Sequence, residues 1–153
     1  MVIMHASVKH LSRFQIAFGL AALFSMPSVA ETPPTFAVGQ EWTVKPSDRN
    51  EPTSLHVIIV KIETSGGQTV VHTSLTGIKC PNGNTVSLGH APIDADALSA
   101  SVDRVIATGV QPAHGFEESY THWKADAAGA WNVSVPEISA MLLKEVGPAH
   151  IGC

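Results

Sequence analysis

The first half of the chain alternates apolar and polar residues in short runs that predict β-strands. The runs lie at 38–45, 55–63, 69–79 and 85–88, and the second is rich in branched aliphatic residues. Turn-forming residues separate them, at 46–50, 65–68 and 81–84. Asn82-Gly83 is typical of a tight hairpin, because both residues tolerate a positive φ. The last three runs are therefore predicted to form an antiparallel meander.

Hairpin tips at Gly66-Gly67 and Asn82-Gly83 would set the register of this meander. The pairs expected across it are Ile62 with Val71, Ile58 with Leu75, Gly77 with Leu88, and Lys79 with Val86. One face then gathers the apolar side chains of Ile58, Val60, Ile62, Val71, Leu75, Val86 and Leu88. The opposite face is mixed and is expected to be at most partly covered, with Val57, Ile59, Lys61, His72, Ser74 and Thr76.

The second half of the chain has helical spacing. Asp94 can cap a helix over 95–107, and a second helix is predicted over 116–127. A short strand at 131–133 precedes a capping box, Ser134 with Glu137, which opens a third helix. Strands followed by helices indicate a single α+β domain. It would pack an antiparallel meander of three to five strands against two or three amphipathic helices from the C-terminal half.

Residues 1–30 have the three zones of a secretory signal peptide. Lys9 and Arg13 precede an apolar stretch of about 13 residues, which is short of the roughly 20 that span a bilayer. Small residues then end at Ala30, where cleavage is expected. A membrane anchor or a buried N-terminal helix is the alternative. The remainder, 31–153, is predicted to be a periplasmic or secreted domain with no membrane span.

Charge and cysteine content narrow the function of this remainder. After Ala30, seven lysines and arginines stand against thirteen acidic residues, a net charge of −6, which argues against nucleic-acid binding. In an oxidising compartment, Cys80 and Cys153 are expected to form one internal disulfide, with a bond between two chains as the alternative. The internal bond is expected to contribute about 4 kcal/mol to stability. No sequence motif indicates a cofactor.

Six histidines follow Ala30 and suggest a metal site or an acid–base group. The predicted register puts His56 and His72 on opposite faces. It puts His56 and His90 on one face but roughly 11–12 Å apart, so no metal site is expected. His90 and Asp94 flank a turn at Pro92 and are the weak candidates for a catalytic pair. The competing interpretation is that Asp94 only caps a helix.

Aromatic residues give the candidate binding site. The sequence has few aromatic residues, so most of them are expected to fill the core. Four of them can also line a ligand groove or a partner-facing patch: Trp42, Tyr120, Trp123 and Trp131. The candidate binding residues are Trp42, His72, Tyr120 and Trp123.

Five short motifs together resemble a group of small, uncharacterised, exported bacterial proteins. The motifs are Val38-Gly39-Gln40-Glu41-Trp42, Val70-Val71-His72, Gly89-His90-Ala91-Pro92, Ala97-Leu98-x-x-Ser101-Val102 and Tyr120-x-x-Trp123. They span most of the chain after Ala30. The resemblance implies a bacterial, periplasmic setting and transfers no activity, cofactor or catalytic residue.

Three functions are therefore carried forward. The first is a non-enzymatic exported domain that binds a protein or a small ligand through the mixed sheet face or the aromatic residues. The second is a small hydrolase or isomerase that uses His90 with Asp94. The third is a metal-binding protein that uses the scattered histidines.

Overall fold

The computed structural model of the protein describes residues 32–47 and 53–153, so the predicted signal peptide at 1–30 lies outside the described residues. Five strands in the described part form one antiparallel sheet in the order β4-β3-β2-β1-β5. They are β1 (Glu41–Val44), β2 (His56–Ser65), β3 (Gln68–Lys79), β4 (Thr85–Asp94) and β5 (Val102–Ala107). The predicted meander is β2-β3-β4, and the α+β fold class is confirmed.

The register of the first hairpin follows the prediction near its tip and departs from it further on. Ile62 pairs with Val71 as expected, but a bulge between Ile59 and Lys61 shifts the register by one residue. Leu75 therefore lies opposite Val57, and the predicted pair of Ile58 with Leu75 is wrong. Because side chains alternate along a strand, this shift moves Val57 and Ile59 to the core face of the sheet.

The second hairpin also differs from the prediction. Gly83 donates its N–H to the carbonyl of Cys80 at 2.9 Å, which makes a three-residue loop rather than a two-residue turn. The observed pairs are Leu75 with Leu88 and Ile78 with Val86, so the pairs expected for Gly77 and Lys79 are wrong. Gly77, at φ +72°, lies in the irregular stretch of β3 that changes this register.

The described part contains three α-helices, of which the first and the third begin at the predicted caps. They are α1 (Ala95–Ser101), α2 (Phe116–Ala125) and α3 (Val135–Met141). Asp94 accepts from the backbone N–H groups of Asp96 and Ala97 and so caps α1, and the predicted capping box of Ser134 with Glu137 is present at α3. After α3 the chain makes one π-helical turn (Leu142–Val146) and a 3-10 turn (Pro148–Ile151). The predicted strand at 131–133 is a single parallel bridge from Trp131 to Ile93.

The prediction of one helix over 95–107 is wrong in its second half. Residues Val102–Ala107 form β5, which pairs with β1 through Val102–Val44 and Val105–Trp42. The spacing of Val102, Val105 and Ile106 suits a helix, but branched side chains favour the extended conformation, and β1 offers a partner strand. Residues Val102–Ala107, which the local periodicity assigns to the first helix, therefore form the edge strand of the sheet.

The two faces of the sheet are covered by different helices. The first face packs against α1 and α3 in a core that includes Val57, Ile59, Val71, Leu75, Ile93, Leu98 and Ile138. The second face carries Ile58, His72, Ser74 and His90 and lies beneath α2 and the segment before it. The second face is partly covered, as expected: His72 and Ser74 are buried, whereas Lys61 is exposed and Thr76 is half-buried.

Cys80 and Cys153 form an internal disulfide with their Cα atoms 5.7 Å apart, as predicted. The bond ties the β3–β4 hairpin to residue 153. Asn82 in the same hairpin donates to the carbonyl of Cys153 at 2.7 Å. Of the helices that the structure describes, none has the length and apolar character that would be needed to cross a membrane.

Candidate functional site

Two buried histidines meet on the second face of the sheet. His72 lies on β3 and His90 on β4, and His72 Nδ1 is 2.9 Å from His90 Nε2. Their rings are nearly parallel, with 17° between the planes and centroids 5.2 Å apart, and the two residues are 0% and 8% exposed. The sheet register explains the meeting: His72 pairs with Pro92, so His90 is its diagonal neighbour on the same face.

The predicted arrangement of the histidines is corrected by the bulge in β2. His56 pairs with Thr76, which places it on the same face as His72 rather than the opposite one. His56 bonds instead to Glu41 of β1, with Nδ1 2.9 Å from Oε1. His72 and His90 are therefore the histidines that meet.

Glu63 on β2 lies beside this pair. Its Oε1 is 3.4 Å from His72 Nε2, an ion-pair distance without hydrogen-bond alignment. His72 Nε2 is the one buried side-chain nitrogen or oxygen in the described residues that lacks a hydrogen-bond partner. A nearby carboxylate favours the tautomer of His72 with its proton on Nε2. Nδ1 of His72 then accepts a hydrogen bond from the Nε2–H of His90.

Helix α2 contributes the polar groups that meet Glu63. Tyr120 donates its hydroxyl to Glu63 Oε2 at 2.9 Å, and the ammonium of Lys124 lies 3.4 Å from the same oxygen. Lys124 also donates to the Tyr120 hydroxyl at 3.2 Å. On β2, the Lys61 ammonium lies 4.4 Å from the centroid of the Tyr120 ring, a cation–π distance. Glu63 and the two lysines therefore gather around the side chain of Tyr120.

The aromatic side of α2 covers the histidines. Phe116, Tyr120 and Trp123 recur at the spacing that faces one side of a helix, and all three contact the pair edge-on. The ring centroids are 5.3 Å apart for Phe116 and His90, 4.9 Å for Tyr120 and His72, and 4.6 Å for Trp123 and His72. Phe116 is buried, whereas Tyr120 and Trp123 are half-buried and reach the surface.

Burial keeps both histidines neutral. It lowers the pKa of His90 to about 4, and the neighbouring His72 adds to the effect. Burial also lowers the pKa of His72, although the Glu63 carboxylate opposes this shift. Partial burial raises the pKa of Glu63, but the hydrogen bonds from Tyr120 and Lys124 and the charge of the Lys124 ammonium outweigh it and hold that pKa below its usual value. At neutral pH the site therefore has an ionised Glu63 over two neutral imidazoles.

A surface depression of about 280 Å³ opens beside this group. It is lined by Glu63, Thr64, Trp123, Lys124, Ala127 and Ala128. Its floor joins β2 to the C-terminal end of α2, where Trp123 donates its indole N–H to the carbonyl of Gly129 at 3.0 Å. The carboxylate, an ammonium and an indole ring thus border one open space of small-molecule size.

The structure brings three of the four candidate binding residues together: His72, Tyr120 and Trp123. Trp42 lies in the core on the first face, where it packs against Phe36 and donates to the side chain of Gln40. Trp131 is 40% exposed at the bridge to β4.

The candidate catalytic residues have different partners. His90 bonds to His72, while the Asp94 carboxylate accepts from backbone N–H groups at the start of α1. Within 32–47 and 53–153, no three histidine, cysteine or carboxylate side chains are grouped so that they could hold a metal ion.

Sequence reasoning missed Lys61, Glu63, Lys124 and Phe116 as site residues. The stripe of Phe116, Tyr120 and Trp123 was a usable signal for the helix side of the site. Glu63 had none, because the bulge after Ile59 decides which residues of β2 share a face with His72.

Comparison with known proteins does not identify this site. No family model, no curated protein and no solved structure matches the chain.

Proposed function

We propose that the protein is an exported, non-enzymatic binding domain whose ligand sits at the surface formed by Lys61 and Glu63 of β2 with Tyr120, Trp123 and Lys124 of α2. We call this surface the β2–α2 site. The observation that carries the proposal is the convergence of half-buried aromatic rings, two ammonium groups and one carboxylate beside an open depression.

The chemistry of the β2–α2 site suits a ligand with an apolar body and an anionic group. Ring faces of Tyr120 and Trp123 offer apolar area at small entropic cost, as aromatic anchors do in other binding sites. The side chain of Lys124 is 60% exposed, and Lys61 has no carboxylate within 4 Å among the described residues. With both histidines neutral, the two lysines outnumber Glu63 by one positive charge. This local excess lies within a domain of net negative charge.

Two features support the exported setting of this proposal. The internal disulfide is typical of oxidising compartments, and residues 1–30 have the pattern of a cleavable signal. We expect the native product to begin at Glu31 and to lie in the periplasm or outside the cell. Intact-mass measurement of the native protein checks this, and a product that retains Met1 inside the cell would contradict it. We also propose that the chain belongs to the group of small exported bacterial proteins with similar motifs, since those motifs include His72, His90, Tyr120 and Trp123.

Binding is tested with a matched pair of probes, N-acetyl-phenylalanine and its neutral amide, titrated into isotope-labelled protein. The indole N–H signals of the tryptophans report position, because Trp123 borders the site and Trp42 lies on the other face. We expect the carboxylate probe to shift the Trp123 signal and leave that of Trp42 unchanged. The amide should bind several-fold more weakly.

A charge variant with a matched control completes this test. Lys124→Met should weaken binding of the carboxylate probe several-fold, whereas Lys144→Met, at an exposed lysine of the π-helical turn, should not. If the Trp123 signal responds to neither probe, or if both variants bind alike, the β2–α2 site is not a site for anionic ligands.

A further inference from the structure

The hydrogen-bonded pair of His72 and His90 can take up one additional proton but not two. In the neutral pair, the Nε2–H of His90 points at the lone pair on His72 Nδ1, with 2.9 Å between the nitrogens. One added proton can be accommodated if the proton of His90 moves to its Nδ1. His72 then donates from both nitrogens, towards Glu63 and to the lone pair on His90 Nε2. A second proton would put an N–H on both facing nitrogens at that distance. A doubly protonated pair must therefore separate.

The groups around the pair include one negative charge, which can stabilise one protonated histidine but not two. From β2, Glu63 favours a positive charge on His72, while the Lys61 ammonium disfavours it. From α2, the Lys124 ammonium also disfavours it, and the Tyr120 hydroxyl donates to Glu63. Glu63 is the one carboxylate within 4 Å of a ring nitrogen of either histidine in the described part of the chain. His90, packed against Phe116, forms no ion pair with any carboxylate among the described residues.

The side chains of helix α2 contact the sheet at this pair and at the neighbouring Glu63 and Lys61. Its N-cap is Gly115, with no side-chain cap, and Phe116 is its one fully buried residue. The remaining contacts described above between its side chains and the sheet run to His72, His90, Glu63 and Lys61. The core on the first face, in contrast, contains no residue of α2. Separation of the histidines would therefore loosen α2 without exposing the main core.

We infer that the His72–His90 pair is a proton-operated latch, which holds α2 on the sheet at neutral pH and releases it in acid. Since Tyr120, Trp123 and Lys124 lie on α2 while Lys61 and Glu63 lie on β2, release would divide the β2–α2 site. Acid would then discharge the ligand. This last consequence rests on the proposed function, but the latch itself does not.

The direction of the pH dependence follows from the neutral state of the pair. Burial holds the pKa of both histidines below the ordinary value of 6.5, and that of His90 reaches about 4. Protons therefore bind the open form better. The closed form is favoured above pH 6.5 and loses its advantage as the pH falls from 6.5 towards 4. With two protons taken up, the opening equilibrium should change by more than tenfold per pH unit in part of this window.

Hydrogen exchange tests the latch on the disulfide-bonded protein without any ligand. After correction for intrinsic exchange rates, the backbone amides of α2 should lose protection between pH 6.5 and 4, while those of β2 and β3 stay protected. If α2 keeps its protection down to pH 4, or opens only together with β2 and β3, the latch is disproved. This measurement on the unmodified sequence depends on no variant.

Two variants then test whether one of the two protons taken up on opening binds to His90. His90→Gln keeps a donor for His72 but cannot titrate, so α2 should open by less than tenfold per pH unit. His122→Gln changes an exposed histidine of α2 that has no described contact with the pair, and should keep the steeper dependence. Equal steepness in both variants would overturn the assignment to His90. If His90→Gln does not fold, the nitrogen shifts of the imidazoles decide it: two neutral rings at pH 6 are expected, and two charged rings at that pH would disprove the latch.

Discussion

At the scale of single residues, Glu63 decides the chemistry of the second face. It accepts the Tyr120 hydroxyl on one oxygen and places the other 3.4 Å from His72 Nε2. Its negative charge favours the tautomer of His72 that carries its proton on Nε2. Nδ1 of His72 then accepts the hydrogen bond from His90, which orients the His90 ring. A partly exposed surface carboxylate thus organises two buried rings.

Removal of the Tyr120 hydroxyl tests this role. Tyr120→Phe keeps the ring over His72 but deletes the hydrogen bond to Glu63, so we expect a loss of about 1 kcal/mol in the free energy of unfolding. The pKa of Glu63 should rise, because one group that stabilises its ionised form is gone. Denaturant unfolding and carboxyl NMR titration measure the two effects. Thr121→Val, on the exposed side of α2, is the control, and an equal loss there would contradict the role of Tyr120.

At the scale of elements, bulges in the strands set which side chains share a face. One bulge in β2 brings Val57 and Ile59 into the core and places Lys61 opposite His72. Irregular pairing near Gly77 lets Leu75 and Ile78, three residues apart, both point into the core. Such bulges re-aim side chains without changing the order of the strands.

Substitution of Gly77 tests the bulge in β3. A Cβ on Gly77 would lie 1.9 Å from the backbone carbonyl oxygen of Ser54, at a φ of +72° that side chains rarely adopt. Gly77→Ala should therefore cost more than about 2 kcal/mol of stability, from strain and a backbone shift together. Gly66→Ala, at φ +61° with nothing within 4 Å, should cost only the strain, about 1 kcal/mol. Thermal and denaturant unfolding of both variants give the comparison. Equal costs would show that the contact at Ser54 relaxes freely.

The sequence predicts those elements whose signals are local. The capping box of Ser134 with Glu137 and the hairpin at Gly66-Gly67 were predictable, because each depends on neighbouring residues alone. The bulge after Ile59 was not, since a bulge reflects how a whole face packs. Likewise, β5 becomes a strand because β1 lies beside it. The meeting of His72 with His90 follows from such long-range register, so the sequence predicted their residue types as candidates but not their contact.

At the scale of the whole molecule, the disulfide connects the sheet to the final turns of the described chain. Cys80 and Cys153 are 73 residues apart in sequence, and the bond closes a loop that contains α1, α2 and α3. Closing a loop of this length restricts the unfolded chain more than the folded one.

Loss of this bond should be costly. The variant Cys80→Ser with Cys153→Ser is expected to lose about 2–4 kcal/mol in the free energy of unfolding. Denaturant unfolding measures the loss. Chemical reduction of the unmodified protein should produce a similar loss, which separates the bond from the two substitutions. If both samples unfold within about 0.5 kcal/mol of the oxidised protein, the unfolded chain is already restricted by other means.

The sheet also separates the side chains of the main core from those of the β2–α2 site. Residues such as Val57 and Leu75 project to one side, while those of the β2–α2 site lie on the other with a full layer of backbone between them. Changes on the two sides should therefore be energetically additive, so that a double variant loses the sum of the two single losses. The ligand preference of the protein can then drift, or be redesigned, by altering α2 while the packing beneath α1 and α3 stays as it is.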